Sequence, residues 1–124
     1  MDITIETSPS SILLRLSGDL RLWSHEDEEQ HLVRAIRTIG QQFPEHLVLS
    51  LASVERVDSL GIGSLVRVLL ECARRNVELA VILPRGVAGE AIRRLRVFDA
   101  WPSFPDESAA LKSITRPSQW AMSA

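Results

Sequence analysis

The residue types best placed to do chemistry in this chain lie between Leu51 and Gly63, which read Leu-Ala-Ser-Val-Glu-Arg-Val-Asp-Ser-Leu-Gly-Ile-Gly. At the centre stand Asp58 and Ser59, followed by Leu60, Gly61 and Gly63. Two chemistries fit that order. Asp58 or Ser59 can cap a helix by accepting a hydrogen bond from a first-turn amide, which contributes about 1 kcal/mol. A serine there can also carry a phosphoryl group, because helix-start amides and the helix dipole favour negative charge. Two glycines in one helical turn each cost roughly 1 kcal/mol against alanine. They make sense where a neighbouring strand or a partner must come close to the backbone.

Other constellations are missing. No G-x-x-x-x-G-K-[ST] phosphate loop occurs, and Gly61-Ile62-Gly63 lacks the third glycine of a dinucleotide fingerprint. Ser59-Leu60-Gly61 is half of a nucleophile elbow, with Val57 where the other glycine belongs. The three histidines, His25, His31 and His46, have no cysteine or acid partner at metal-ligand spacing and are expected on the surface. Hence no catalytic residue, no metal and no cofactor are expected. Arg85, Arg93, Arg94 and Arg96 form a basic cluster that suits a solvated face or an anionic partner surface.

The elements that must position Ser59 follow from periodicity. Residues 3–7 and 12–17 alternate around a Ser8-Pro9-Ser10-Ser11 turn, which predicts an antiparallel hairpin ended by Gly18. Ile12, Leu14 and Leu16 share one face, and Leu13, Arg15 and Ser17 the other. Ser24 with Asp27 fits a capping box for a helix whose stripe is Leu32, Ile36, Ile39 and Phe43, and the acids 26–29 suit its start. Leu47–Leu51 predicts a central strand, after which a loop leads to Asp58 and a helix over about 60–75. On that helix Leu65, Val68, Leu69 and Cys72 are expected inward, and Ser64, Arg67, Glu71, Arg74 and Arg75 outward. Leu79–Leu83 predicts another buried strand closed by Pro84. A helix over roughly 87–97 follows, with Ala88, Ala91, Ile92 and Leu95 inward. Trp101–Pro105 fits a short edge strand, and a last helix covers about 106–114. The expected order is β-β-α-β-α-β-α-β-α, one α/β domain over 2–114 with a mixed sheet of about five strands and about four helices. The tail 115–124 is expected to fray.

The chain has 124 residues, 45% hydrophobic, with a net charge of −2. That length fits one domain, and that charge argues against a general nucleic-acid binder. A single cysteine, Cys72, rules out an internal disulfide and is read as a core residue. The first residues lack the basic and apolar segments of a signal peptide, and no apolar run is long enough to span a bilayer. The expectation is a cytoplasmic protein without membrane insertion.

The stretch Leu51 to Leu65 resembles the STAS domain family, the bacterial anti-sigma-factor antagonists and their relatives, whose motif reads L-S-G-V-x-x-I-D-S-S-G-L-G-x-L. Leu16-Ser17-Gly18-Asp19-Leu20 is similar to the family's L-x-G-E-L-D. Phe98 to Phe104, with Glu107 and Ala110-Leu111, is similar to its closing F-P-x-F and E-x-A-L. The resemblance covers about 2–114 and implies a sheet with helices on one side. It implies that Ser59 is the residue a partner kinase phosphorylates. It implies a partner surface of Asp58, Ser59, Leu60, Gly61, Gly63 and Arg56, joined by Asp19, Arg21 and Ser24 from the 18–24 loop. Four positions depart from the motif: Leu60 replaces a second serine, Ser53 and Asn76 replace glycines, and Arg21 replaces an acid. Asparagine also tolerates the left-handed conformation. An arginine near Ser59 would attract a phosphoryl group rather than repel it.

The resemblance thus implies a switch that sequesters a serine kinase/anti-sigma factor when unphosphorylated and releases it when phosphorylated, with a phosphatase to reset it. ATP and Mg²⁺ would belong to the kinase. The alternative is a non-catalytic STAS subunit of a lipid-transport ABC system, or another constitutive binding module. The partner's identity and the oligomeric state stay open at this point.

Overall fold

The computed structural model of the chain describes residues 2–20, 32, 34–35, 37–39, 41 and 44–113. The expected capping box at Ser24 and Asp27, His25, His31, Ile36, Phe43 and the tail 115–124 lie outside the described residues, as does the side chain of Val68. The five strands are β1 (Asp2–Thr7), β2 (Ser11–Leu20), β3 (His46–Val57), β4 (Glu78–Ile82) and β5 (Ser103–Phe104). They form one mixed sheet in the order β1-β2-β3-β4-β5. β1 and β2 pair antiparallel and the remaining neighbours pair parallel. Helix α1 is Ser59–Arg74 and α2 is Gly86–Leu95. The described residues between 32 and 41 are helical, and a short helix covers 107–113.

β3 is the middle strand, as its apolar run requires, and Leu47, Val48, Leu49 and Leu51 are fully buried. One face of the sheet presents Ile12, Leu14, Leu16, Leu47, Leu49 and Val81 to a core completed by Leu32, Ile39, Leu65, Leu69, Cys72 and Ile92. The opposite face is covered too: Leu13, Val48, Ala80 and Ile82 pack with Ala110 of the C-terminal helix. Helices on one side only is therefore corrected. Arg15, on that second face, clamps Glu107 with Nε to Oε2 and Nη2 to Oε1, both 2.8 Å. These hydrogen bonds from Arg15, with one from the buried Ser50, hold the Glu107 carboxyl below its ordinary range despite partial burial.

Gly18 does not end β2. It takes a φ of +83° and the strand runs on to Leu20, with pairing to β3 resumed after a register shift. Residues 52–57 are strand rather than loop. β3 carries one extra residue between Ser50 and Ser53 and another between Val54 and Arg56, measured against β2. Two such bulges destroy the period-2 alternation, so the sequence there carries no strand signal.

Four side chains differ from expectation. Ser64 is buried, because it lies one turn beyond Gly61 on the side of α1 pressed against β2. Leu95 is 54% exposed and Ala91 only half-buried, since α2 ends at Leu95 and turns through a left-handed Arg96. The side chain of His46 is only 12% exposed, its Nε2 3.2 Å from Glu78 across the β3–β4 pair. Asn76 takes the left-handed φ of +61° that a turn glycine would supply. It closes α1 with Asn76 N–H to the Ala73 carbonyl and Val77 N–H to the Cys72 carbonyl, both 3.1 Å.

Candidate functional site

The site is built where β3 stops and α1 begins, and one residue separates them. Asp58 is extended, with φ −126° and ψ 176°, and caps the helix. Its Oδ1 accepts from Gly61 N–H at 2.8 Å and its carbonyl accepts from Ile62 N–H at 3.0 Å. Of the two candidate caps, Asp58 is the one used. That leaves Ser59 as the first helical residue, and it is exposed. The first turn holds no acid of its own. The positive end of the α1 dipole is thus met, within the helix, by the Asp58 carboxylate alone.

The two glycines of this turn have separate causes. A Cβ on Gly61 would lie 2.0 Å from the Leu20 carbonyl oxygen, so the end of β2 rests directly on the helix backbone. The same carbonyl accepts from Asp58 N–H at 3.4 Å. A Cβ on Gly63 would meet nothing within 4 Å, and Gly63 is exposed. Gly61 answers to a neighbouring strand inside the fold. Gly63 leaves bare backbone on the surface.

Ser59 and Gly63 are one turn apart and share a helix face. Arg67, Leu70 and Arg74 continue it, all exposed, with Leu70 52% accessible. Leu60, in place of a second serine, is half-buried and packs against the main core. It anchors the turn and offers no hydroxyl. Arg56 is exposed and stands opposite Asp19 in the β2–β3 register, and Leu20 stands opposite Val57. The structure therefore brings Asp19, Arg56, Asp58, Ser59, Leu60, Gly61 and Gly63 to one end of the sheet. Arg21 and Ser24 lie outside the described residues. Sequence reasoning missed Leu20, whose carbonyl dictates Gly61. Its signal was the unexplained glycine itself.

Cys72 stays in the core, where burial pushes its thiol up to about 11. Among the described residues no group of three or more His, Cys, Asp or Glu could hold a metal ion. No helix among them is long and apolar enough to cross a membrane.

Comparison with known proteins agrees with this architecture. No curated protein sequence matches the chain. Among solved structures, an anti-sigma factor antagonist from Mycobacterium paratuberculosis superposes with a TM-score of 0.73 at 20% identity, covering 92% of this chain and 93% of that one. The anti-sigma factor antagonist SpoIIAA in its unphosphorylated form gives 0.70 at 18%, covering 92% and 98%. The Bacillus cell fate determinant SpoIIAA in its phosphorylated form gives 0.63 at 15%, covering 91% and 99%. At these identities the likeness is one of fold. The family model of the STAS domain matches residues 2–110, which takes in all five strands and the turn that carries Ser59, and the chain belongs to that family.

Proposed function

We propose that this chain is an anti-sigma-factor antagonist: a non-catalytic module that binds a serine kinase/anti-sigma factor when unphosphorylated and lets go once Ser59 is phosphorylated. The observation that carries this reading is the exposed Ser59 at the first position of α1, beside the bare backbone of Gly63 and directly after the capping Asp58. A phosphoryl group there adds about 1.5–2 negative charges and three acceptor oxygens. The helix amides and dipole tolerate that charge, so the fold can survive it. A partner lying flat on Ser59 and Gly63 cannot, because it meets new bulk, desolvation and repulsion from a doubled anionic site with Asp58. A phosphatase would restore the binding form. Arg56 and Asp19 belong to the same contact surface on this reading, and Arg21 and Ser24 extend it. The structural neighbours that share the fold include anti-sigma factor antagonists, one of them in a phosphorylated form.

The test is direct. The chain and a Ser59→Ala variant are incubated with ATP, Mg²⁺ and the serine kinase encoded nearest to its gene, and intact mass is read. A phosphoryl gain on the wild type alone, with weaker kinase binding by the modified form, supports the switch. A kinase that binds the chain but adds nothing to Ser59 sinks it and leaves a constitutive binding module.

A further inference from the structure

β3 is longer than the strand beside it. β4 pairs with β3 only from His46↔Glu78 to Ser50↔Ile82. Beyond Ser50, β3 continues to Val57 with β2 as its strand partner, and the chain after β4 leaves the sheet at Pro84 for α2, which packs against β3. Residues 52–57 therefore form an unpaired edge inside the sheet, on the side where β4 would have continued. Six residues of strand at about 3.3 Å each span about 20 Å. Edges of this kind take up extended segments through main-chain hydrogen bonds.

This edge opens into a cleft of about 980 Å³, bordered by Ser53, Glu55, Leu83, Arg85, Val87 and Pro105. Val87, at the rim of this cleft, is 83% exposed. Of the three acids that line the cleft two are already used: Asp106 caps Ala109 N–H at 2.8 Å and Glu107 is clamped by Arg15, while Glu55 is exposed on the strand edge itself, across the cleft from Arg85. Arg85 has no ion pair among the described residues, nor has Arg93, which lines an adjoining cleft with Arg85 and Ser103. Arg96 differs, being tied to Asp99 at 2.8 Å. The cleft thus joins an unpaired strand edge, an exposed aliphatic side chain and uncommitted arginine charge.

We propose that the cleft receives an extended peptide segment of a partner protein, paired edge-on with residues 52–57, with an apolar side chain against Val87 and an acidic side chain on Arg85. Backbone pairing provides affinity, while Val87 and Arg85 provide selection. The acid follows from the Arg85 and Arg93 guanidiniums, which bind carboxylates in forked geometry. The cleft lies along the β4 side of β3 at Ala52 to Glu55, and only the far end of the edge, Arg56 and Val57, meets the Ser59 site.

The test uses the full chain and a random seven-residue peptide library displayed on phage. Selected peptides are expected to alternate apolar and polar positions and to carry an acid. They are expected to slow amide hydrogen exchange in 52–57 and to bind Arg85→Glu about tenfold or more weakly. Reselection on Arg85→Glu is expected to exchange the acid for a basic residue, which a merely structural role for Arg85 would not produce. No enrichment, or enriched peptides that leave 52–57 exchange unaltered, overturns the proposal. So does full displacement by an equal concentration of free glutamate, which would assign the cleft to a small anion. Slower 52–57 exchange that rises with protein concentration alone, without peptide, would assign the edge to a second copy and equally overturn it.

Discussion

Replacing Gly61 by alanine should be among the most costly single-methyl additions in this protein, and the same change at Gly63 should be mildly favourable. The added Cβ at 61 meets the Leu20 carbonyl oxygen at 2.0 Å, about 1 Å inside the 3.0 Å that real Cβ contacts respect. The obstacle is backbone and cannot rotate aside. Either the start of α1 lifts by about that 1 Å or the end of β2 withdraws. Both loosen the Asp58 N–H bond to Leu20 and disturb Leu20, which is fully buried. Overpacking of this kind costs about 1–3 kcal/mol, with the broken strand-to-helix contact added, so about 2–4 kcal/mol is expected. At Gly63 the methyl enters open space, and the gain in helix propensity is about 0.5–1 kcal/mol. The two variants should therefore differ by roughly 2.5–5 kcal/mol in urea unfolding, or by about 10 °C or more in melting temperature. Gly61→Ala within about 0.5 kcal/mol of the wild type would refute the close approach of β2 to α1. On the proposed function, Gly63→Ala should also weaken kinase binding while raising stability, a pairing that no folding defect produces.

Asp58→Ala removes the cap on α1 and should cost about 1 kcal/mol, with Asp58→Asn milder because an acceptor oxygen remains; equal melting of wild type and the alanine variant would dismiss the cap. Cys72 should react slowly with a thiol reagent at pH 8. A thiol raised from 9.0 to about 11 has about a hundredfold less thiolate, and burial slows the native protein further, so native labelling matching the urea-unfolded rate would contradict its packing. Glu107 carries a pH signature. Its carboxyl is held below the ordinary 4.5 in the fold, so its contribution is present above about pH 4.5 and lost as pH falls through the lowered folded value. The pair with Arg15 is partly solvent-shared, so the effect is under about 1 kcal/mol, and Glu107→Gln should flatten the acid limb of the urea midpoint between pH 3 and 5. An unchanged acid limb would remove Glu107 from the acid response.

Much of this was legible without coordinates because it depends on local pattern. The hairpin of β1 and β2, the buried runs of β3 and β4 and the inward stripe of Leu65, Leu69 and Cys72 on α1 follow from spacings of two and of three to four residues. The turn residue Asn76, the edge strand at Ser103–Phe104 and a helix start at Asp58–Ser59 follow from residue chemistry. The STAS motif rests on the same residues, so family and candidate site were readable together.

Other features are decided by partners distant in sequence. Nothing in Ala52 to Val57 alternates, yet pairing with Ser17 to Leu20 makes it strand, because β2 provides the ladder and two bulges absorb the mismatch. Ser64 and Leu95 each exchanged places with expectation, since periodicity gives a face but not how far a neighbour covers it. The second buried face depends on Ala110 and on the Arg15 clamp on Glu107, 92 residues away. Gly61 and Gly63 were indistinguishable as letters. The sequence by itself determined that this turn would be helical, glycine-bearing and headed by Asp58 and Ser59, because those are local backbone preferences. Only the tertiary structure decided that Gly61 faces the Leu20 carbonyl and Gly63 faces solvent, because that depends on where the far end of β2 comes to rest.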